Sequence, residues 1–195
     1  MKSITVFCGA SEGDNPIYKE TGFNVGKLLA NHSIEVVFGG GRIGIMGAVA
    51  DGALSRNGRV TGVLPEFLQS KELAHDSLTE LILVASMHER KLKMHQISDG
   101  VIALPGGFGT LEELFEILTW GQLGLHSQPV GLLNLNGFYN GLLHLADTMV
   151  ESGLLKASNR NLMLVDESFE SLLGQMRRYR PSIEPKWIKE TLNHV

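Results

Sequence analysis

The stretch Leu104-Pro105-Gly106-Gly107-Phe108-Gly109-Thr110-Leu111-Glu112-Glu113 decides the fold. An apolar run, Val101-Ile102-Ala103-Leu104, leads into it as a buried strand, stops at a proline and three glycines, and gives way to an apolar-periodic helix beginning near Thr110 and reaching about Leu123. Strand, glycine loop and helix form the geometry of a phosphate cradle. Glycines let the backbone turn tightly and keep side chains away, so that free N–H groups at the helix start point at an anion. The same letters carry a second reading. Thr110-x-x-Glu113 fits a capping box, in which the threonine caps the Glu113 N–H and the glutamate reaches back. A cap alone needs none of the three glycines.

Outward from that stretch the chain alternates strands and helices. Ile4–Cys8 reads as a first strand, and Asn15-Pro16 starts a helix with proline at its first position, running to about His32. Ile34–Phe38 is a second strand that ends in Gly39-Gly40-Gly41-Arg42-Ile43-Gly44-Ile45-Met46-Gly47 and opens a helix running to about Asn57. Strands are expected at Arg59–Leu64, Glu80–Val84 and Pro129–Leu135, with a possible edge strand at Met163–Val165. Helices are expected from Met87 to Asp99-Gly100, over Phe138–Glu151 and over Phe169–Tyr179, and Pro65 to Thr79 reads as a loop or short helix. Near-continuous apolar strands alternating with helices predict an α/β fold: a Rossmann-like, doubly wound parallel sheet covered on both faces. Without repeat, linker or low-complexity stretch, residues 1–195 are expected to form a single domain, with about 181–195, around Trp187, as a C-terminal arm. The glycine turns at Gly9, Gly39–Gly47 and Gly106–Gly109 all follow strands, so they are expected at one edge of the sheet, where such folds bind ligands.

With 195 residues and 43% hydrophobic content, the chain can bury a substantial core. A net charge of −4 argues against a dedicated nucleic-acid or membrane-surface binder, so no nucleic acid and no membrane is expected among its partners. The single Cys8 has no disulfide partner within the chain and reads as a small buried filler. Met1–Gly9 lacks the apolar length of a signal segment, and the expected location is the cytoplasm.

Gly39-x-Gly41-x-x-Gly44 matches the dinucleotide fingerprint, with Glu66 after the next strand where a ribose-binding acid would stand. The match falls on the second strand-to-helix turn, and the later loop competes for the phosphate. A mononucleotide explains both: one phosphate at 105–110, and close backbone approach at the earlier turn. Met87-His88-Glu89-Arg90-Lys91 sets two adjacent cations at a helix start, where the macrodipole disfavours them. A solvated charge run is the plain reading; a bound phosphate gives the placement a purpose, with Arg90 bidentate and Lys91 a point charge. His88 and His95 are seven apart and lack metal-pair spacing, so no metal site is expected.

Three co-ordered motifs, Gly-Gly-Gly-x-x-Gly-x-Met-Gly at 39–47, Met-His-x-Arg-Lys at 87–91 and Pro-Gly-Gly-x-Gly-Thr-x-x-Glu at 105–113, resemble the LOG ("Lonely guy") family of cytokinin riboside 5′-monophosphate phosphoribohydrolases. The similarity runs from Val6-Phe7-Cys8-Gly9-Ala10-Ser11 through Trp120–Gly124 to Pro129–Asn134 and Gly137-Phe138-Tyr139. Such proteins have carried a lysine decarboxylase label, but nothing in the chain resembles a pyridoxal-phosphate lysine site, and no cofactor is expected. The resemblance implies a Rossmann-like homodimer or higher homo-oligomer that cleaves the N-glycosyl bond of AMP or N6-prenyl-AMP, releasing base and ribose 5-phosphate. The family's catalytic pair falls on Arg90 and Glu113; its phosphate loop falls on Gly106, Gly107, Phe108, Gly109 and Thr110. Further substrate contacts fall on Glu72, Met87, Lys91 and Thr119, with Gly41 in the earlier turn. The chain departs from the plant pattern at Ser70–His75 and at Leu92-Lys93. An apolar pocket for a prenyl group would draw on Met46, Met87, Phe108, Leu111 and Trp120.

The chemistry suits these residues. Breaking the bond develops an oxocarbenium ion on the ribose, which a carboxylate beside C1′ stabilises while orienting water; Glu113 has that role. Arginine is a poor proton donor, so Arg90 is expected to position phosphate or hydroxyl groups and balance Glu113. Two other classes compete. A non-catalytic nucleotide-binding or sensor module would not need a carboxylate near a bound phosphate, and a dinucleotide oxidoreductase would need a second substrate-bearing domain.

Overall fold

The computed structural model describes residues 1–68 and 74–181. In chain order the elements are β1 (Ser3–Phe7), α1 (Ile17–Asn31), β2 (Glu35–Phe38), α2 (Gly44–Leu54), β3 (Val60–Pro65), β4 (Glu80–Val84) and α3 (Met87–Gln96). They continue with β5 (Val101–Ala103), α4 (Phe108–Gln122), β6 (Val130–Leu133), α5 (Asn140–Glu151), α6 (Ala157–Arg160), β7 (Met163–Asp166) and α7 (Phe169–Arg178). All seven strands join one parallel sheet in the order β4-β3-β2-β1-β5-β6-β7. The chain winds outward from β1 to β4, then returns to place β5 on the other side of β1. That reversal is the doubly wound topology, and it opens a crevice between the carboxyl ends of β1 and β5.

Side chains of successive strand residues leave the sheet on opposite faces, so each strand feeds two cores. Ile4, Val6, Val36 and Phe38 pack with Val25 and Leu29 of α1, Val49 of α2 and Leu172 of α7. Phe7, Val37, Val101 and Ala103 pack instead with Met94 of α3, Leu114 of α4 and Ala146 of α5. Both faces are therefore covered, as the near-continuous apolar strands require.

Helix starts account for most differences from expectation. Proline stands at the N-cap of α1 rather than inside it, yet Asn15 Oδ1 still accepts the Ile17 N–H at 3.1 Å. The helix expected at Thr110 starts at Phe108, with Gly107 in extended backbone at its N-cap. Glycine serves there without a side-chain bond, so Thr110 is a first-turn residue and not the cap. A reciprocal cap exists elsewhere. Ser86 Oγ accepts the Glu89 N–H at 3.2 Å, and Glu89 Oε2 accepts the Ala85 N–H at 2.8 Å, starting α3 at Met87, three residues before Arg90. Helix α2 stops at Leu54, short of the expected Asn57, which takes φ 56° in the turn beyond. Glu66 lies in a 3-10 turn over Glu66–Leu68, and the expected C-terminal arm lies outside the described residues from 182 on.

Candidate active site

All three glycine turns meet at the crevice. Gly9 N–H donates to the Pro105 carbonyl at 3.2 Å, joining the loops that follow β1 and β5. Gly9 O in turn accepts the Ile45 N–H at 3.0 Å, which draws the start of α2 to the same place. A cavity of about 540 Å³ opens there. Its lining brings together Arg90, Glu113, Gly106, Gly107, Gly109 and Thr110, residues from α3, α4 and the loop between β5 and α4.

Gly107, Gly109 and Thr110 bring the start of α4 to this cavity. First-turn N–H groups of a helix have no intrahelical acceptor, and the macrodipole adds partial positive charge. Open space surrounds Gly107 and Gly109, whereas a Cβ on Gly106 would overlap the Thr110 hydroxyl. Thr110 is thus packed against the loop and only 4% exposed. The Phe108 side chain turns outward and is 92% exposed, so its place in the loop is held by backbone alone.

Arg90 and Lys91 are both 6% exposed but diverge. Arg90 Nη2 donates to Gly39 O at 3.2 Å, and Nη1 lies 3.7 Å from Met87 Sδ. Its buried Nε has no hydrogen-bond partner among the described residues. A Cβ on Gly39 would overlap the guanidinium, which explains a glycine at that point better than a dinucleotide fingerprint does. Lys91 turns to α4, where it pairs with Glu112 and, at 3.0 Å, with Glu116. Burial works to lower the Lys91 pKa, but the two carboxylates outweigh it and hold the ammonium above its ordinary value.

Other expected residues are placed as follows. Met46 and Met87 line the cavity; Leu111 and Trp120 do not, and the Trp120 ring instead lies edge-on to His95 at 5.7 Å. The apolar lining comes also from Tyr18, Ile45, Leu68 and Phe138, which sequence reasoning missed. Tyr18 and Phe138 make an edge-to-face pair at 6.1 Å. Gly41 forms an isolated antiparallel bridge with Ala74 and does not reach the cavity lining. Thr119 is exposed on α4, its hydroxyl donating to Phe115 O at 2.7 Å. Glu72 lies outside the described residues. Cys8 lines the cavity floor; burial, and then the charge of Glu113, push its thiol far above the ordinary range, which leaves it neutral.

A doubly wound sheet with a glycine-lined helix start at its switch point, flanked by an arginine and a glutamate from neighbouring helices, defines a Rossmann-like protein with its cavity where such folds bind ligands. Comparison with known proteins makes this specific. Residues 46–176 match a family profile described as "possible lysine decarboxylase". The chain is 42% identical over 184 residues to the cytokinin riboside 5′-monophosphate phosphoribohydrolase LOG1 of Arabidopsis thaliana, covering 94% of this chain and 86% of that one. It is also 42% identical over 185 residues to LOG7 of the same plant, covering 94% and 85%. The chain belongs to the LOG family. Among solved structures, the molybdenum cofactor binding protein of Rippkaea orientalis superimposes with a TM-score of 0.67 at 23% identity, over 91% of this chain and 97% of that one, a likeness of fold. No lysine stands among the described residues that line the cavity. Among the described residues no helix is long and apolar enough to cross a membrane.

Proposed function

We propose that this chain hydrolyses the N-glycosyl bond of adenine nucleoside 5′-monophosphates, AMP and its N6-prenylated forms, to free base and ribose 5-phosphate. The observation that carries the reading is the convergence of Arg90 and Glu113 on one cavity with the start of α4. The 5′-phosphate sits against the N–H groups of Gly107, Phe108, Gly109 and Thr110, where the helix start favours an anion. Glu113 lies about one helical turn further along α4 and faces C1′, stabilising the oxocarbenium ion as the bond to the base breaks and directing the attacking water. Arg90 positions phosphate or ribose oxygens and balances the carboxylate; held by Gly39 and buried, it meets the substrate already oriented. Met46, Met87 and Leu68 give the cavity an apolar side for the base.

The active form is a homodimer. Phe108, Phe115, Thr119 and Leu123 recur on one exposed face of α4, and Phe108, Phe115 and Leu123 are 92%, 42% and 51% exposed. A second copy of the chain covers this stripe, which brings Thr119, remote from its own cavity, to the neighbouring one. Lys91 joins α3 to α4 beneath that face. The test is incubation of the protein with AMP and with isopentenyladenosine monophosphate, followed by chromatography. Free base and ribose 5-phosphate in equal amounts are expected; intact nucleotide after prolonged incubation contradicts the reading.

A further inference from the structure

Two carbonyls lead into the glycine loop, and separate elements hold them. Pro105 O accepts the Gly9 N–H, while Leu104 O accepts the phenol of Tyr139 at 2.6 Å. Strand β5 ends at Ala103, so no strand neighbour is there to take the Leu104 carbonyl, and the next residue is a proline without an N–H. Tyr139 is itself fixed. It is 1% exposed, and its N–H donates to Asn134 Oδ1 at 2.7 Å. Asn134 Nδ2 donates to Asn140 Oδ1 at 2.8 Å, and Asn134 N–H donates to Asp166 O at 2.8 Å. A continuous chain of hydrogen bonds thus runs from the end of β7, past β6, to the residue that begins the loop. Burial, and to a lesser degree Cys8, raise the phenol pKa, so the hydroxyl keeps its proton and remains a donor.

We propose that Tyr139 is a positioning residue for the 5′-phosphate: by holding the Leu104 carbonyl it fixes the plane from which Pro105 and Gly106 turn, and so aims the N–H groups at the start of α4. The Leu104 N–H is tied to Phe7 O at 2.9 Å, so with the Tyr139 bond both backbone polar groups of this residue are committed. Without the phenol the loop keeps its sequence but loses one of two carbonyl anchors. A misplacement of the cradle by a fraction of an ångström then weakens phosphate binding without touching the base side of the cavity. The inference rests on the anion-cradle part of the proposed function and is independent of whether the bound nucleotide is cleaved.

The test is Tyr139→Phe, titrated calorimetrically against ribose 5-phosphate, AMP and adenosine. Ribose 5-phosphate and AMP are expected to bind about tenfold more weakly, near 1.4 kcal/mol, with adenosine affinity unchanged. Equal losses for AMP and adenosine, or a lowered Tm with ribose 5-phosphate affinity intact, overturn the assignment and leave Tyr139 a packing residue. If Tyr139→Phe does not fold, 3-fluorotyrosine at position 139 keeps the hydroxyl and reports by its fluorine resonance. That resonance is expected to move with ribose 5-phosphate and not with adenosine; a resonance indifferent to ribose 5-phosphate contradicts the proposal. A wild-type protein that binds ribose 5-phosphate yet releases no base from AMP sinks the hydrolase reading, while the paired titrations still decide the role of Tyr139.

Discussion

Arg90 of α3 donates through Nη2 to the carbonyl oxygen of Gly39, 3.2 Å away at the end of β2. The bond crosses the glycine turn and seats a buried guanidinium against backbone that has no side chain to obstruct it. Gly39→Ala should therefore imitate a lesion at Arg90 itself. A methyl group there displaces the guanidinium, and overpacking of this kind costs about 1–3 kcal/mol of stability. Steady-state kinetics should show kcat/KM for AMP falling in Gly39→Ala by on the order of 10², approaching Arg90→Ala, which removes the guanidinium proposed to meet the substrate. Unaltered kcat/KM in Gly39→Ala would remove the link between the turn and the arginine.

Lys91 behaves differently from its neighbour. Because Glu112 and Glu116 hold it, Lys91→Met leaves two partly solvated carboxylates without their cation. The cost should be about 1–2 kcal/mol in chemical denaturation, less than for a fully buried pair because the acids still reach water. Turnover per folded molecule should stay within about threefold of wild type, well under one factor of ten per 1.36 kcal/mol. A hundredfold loss of kcat/KM at unchanged stability would instead make Lys91 a direct substrate contact.

The pair His95 and His126, with ring centroids 4.8 Å apart, predicts the acid limb of stability. His126 Nε2 pairs with Ile117 O at 2.8 Å, and its Nδ1 accepts the Gln128 N–H at 3.1 Å, which fixes a neutral ring. Burial lowers both histidine pKa values in the folded chain from the ordinary 6.5. Below 6.5 the unfolded chain takes up protons that the folded chain does not. Stability is thus full above pH 6.5 and falls as pH drops below it, levelling only where the folded histidines protonate. Thermal melts from pH 8 to pH 5 should show the decline, and His126→Asn, which keeps an acceptor for Gln128, should flatten it at a cost of about 1 kcal/mol at pH 8. A wild-type Tm that is flat or rising toward pH 5 would contradict the arrangement.

Cys8 lies beside the candidate chemistry without taking part. Its thiol is buried and held protonated, so iodoacetamide should leave the native protein unmodified and active, with alkylation appearing only on unfolding. Cys8→Ser should keep kcat within about threefold while costing on the order of 1–2 kcal/mol for a poorly partnered hydroxyl. Rapid inactivation by alkylation at neutral pH would return the cysteine to the list of reacting groups.

Much of this was legible before any coordinates. Val101–Leu104, Gly106–Gly109 and the apolar strands around them define the doubly wound sheet because buried parallel strands and glycine turns leave marks in the local sequence. Arg90 and Glu113 were legible for another reason: their motifs resemble a family in which the pair recurs. What sequence could not show was direction. Arg90 and Lys91 are adjacent letters on one helix, about 100° apart around its axis, and only the packing of α3 against α4 sends one to the cavity and the other to Glu112 and Glu116. The capping box expected at Thr110–Glu113 gives way to Gly107 as the N-cap of α4, while a reciprocal cap forms at Ser86 and Glu89 on α3. Phe108, Leu111 and Trp120 lie on the periodic run of α4 and suggested an apolar pocket. Tyr18 and Phe138 come from segments 120 residues apart and meet only through the order of the strands.

If Glu113 acts on the sugar while the start of α4 holds the phosphate, Glu113→Gln with AMP separates the two roles. In Glu113→Gln, kcat for base release should fall by about 10²–10³, roughly 3–4 kcal/mol of lost transition-state stabilisation, with AMP affinity changed by no more than about threefold. Base release by Glu113→Gln at close to the wild-type rate would contradict the role on the sugar and leave the glutamate a structural residue of α4.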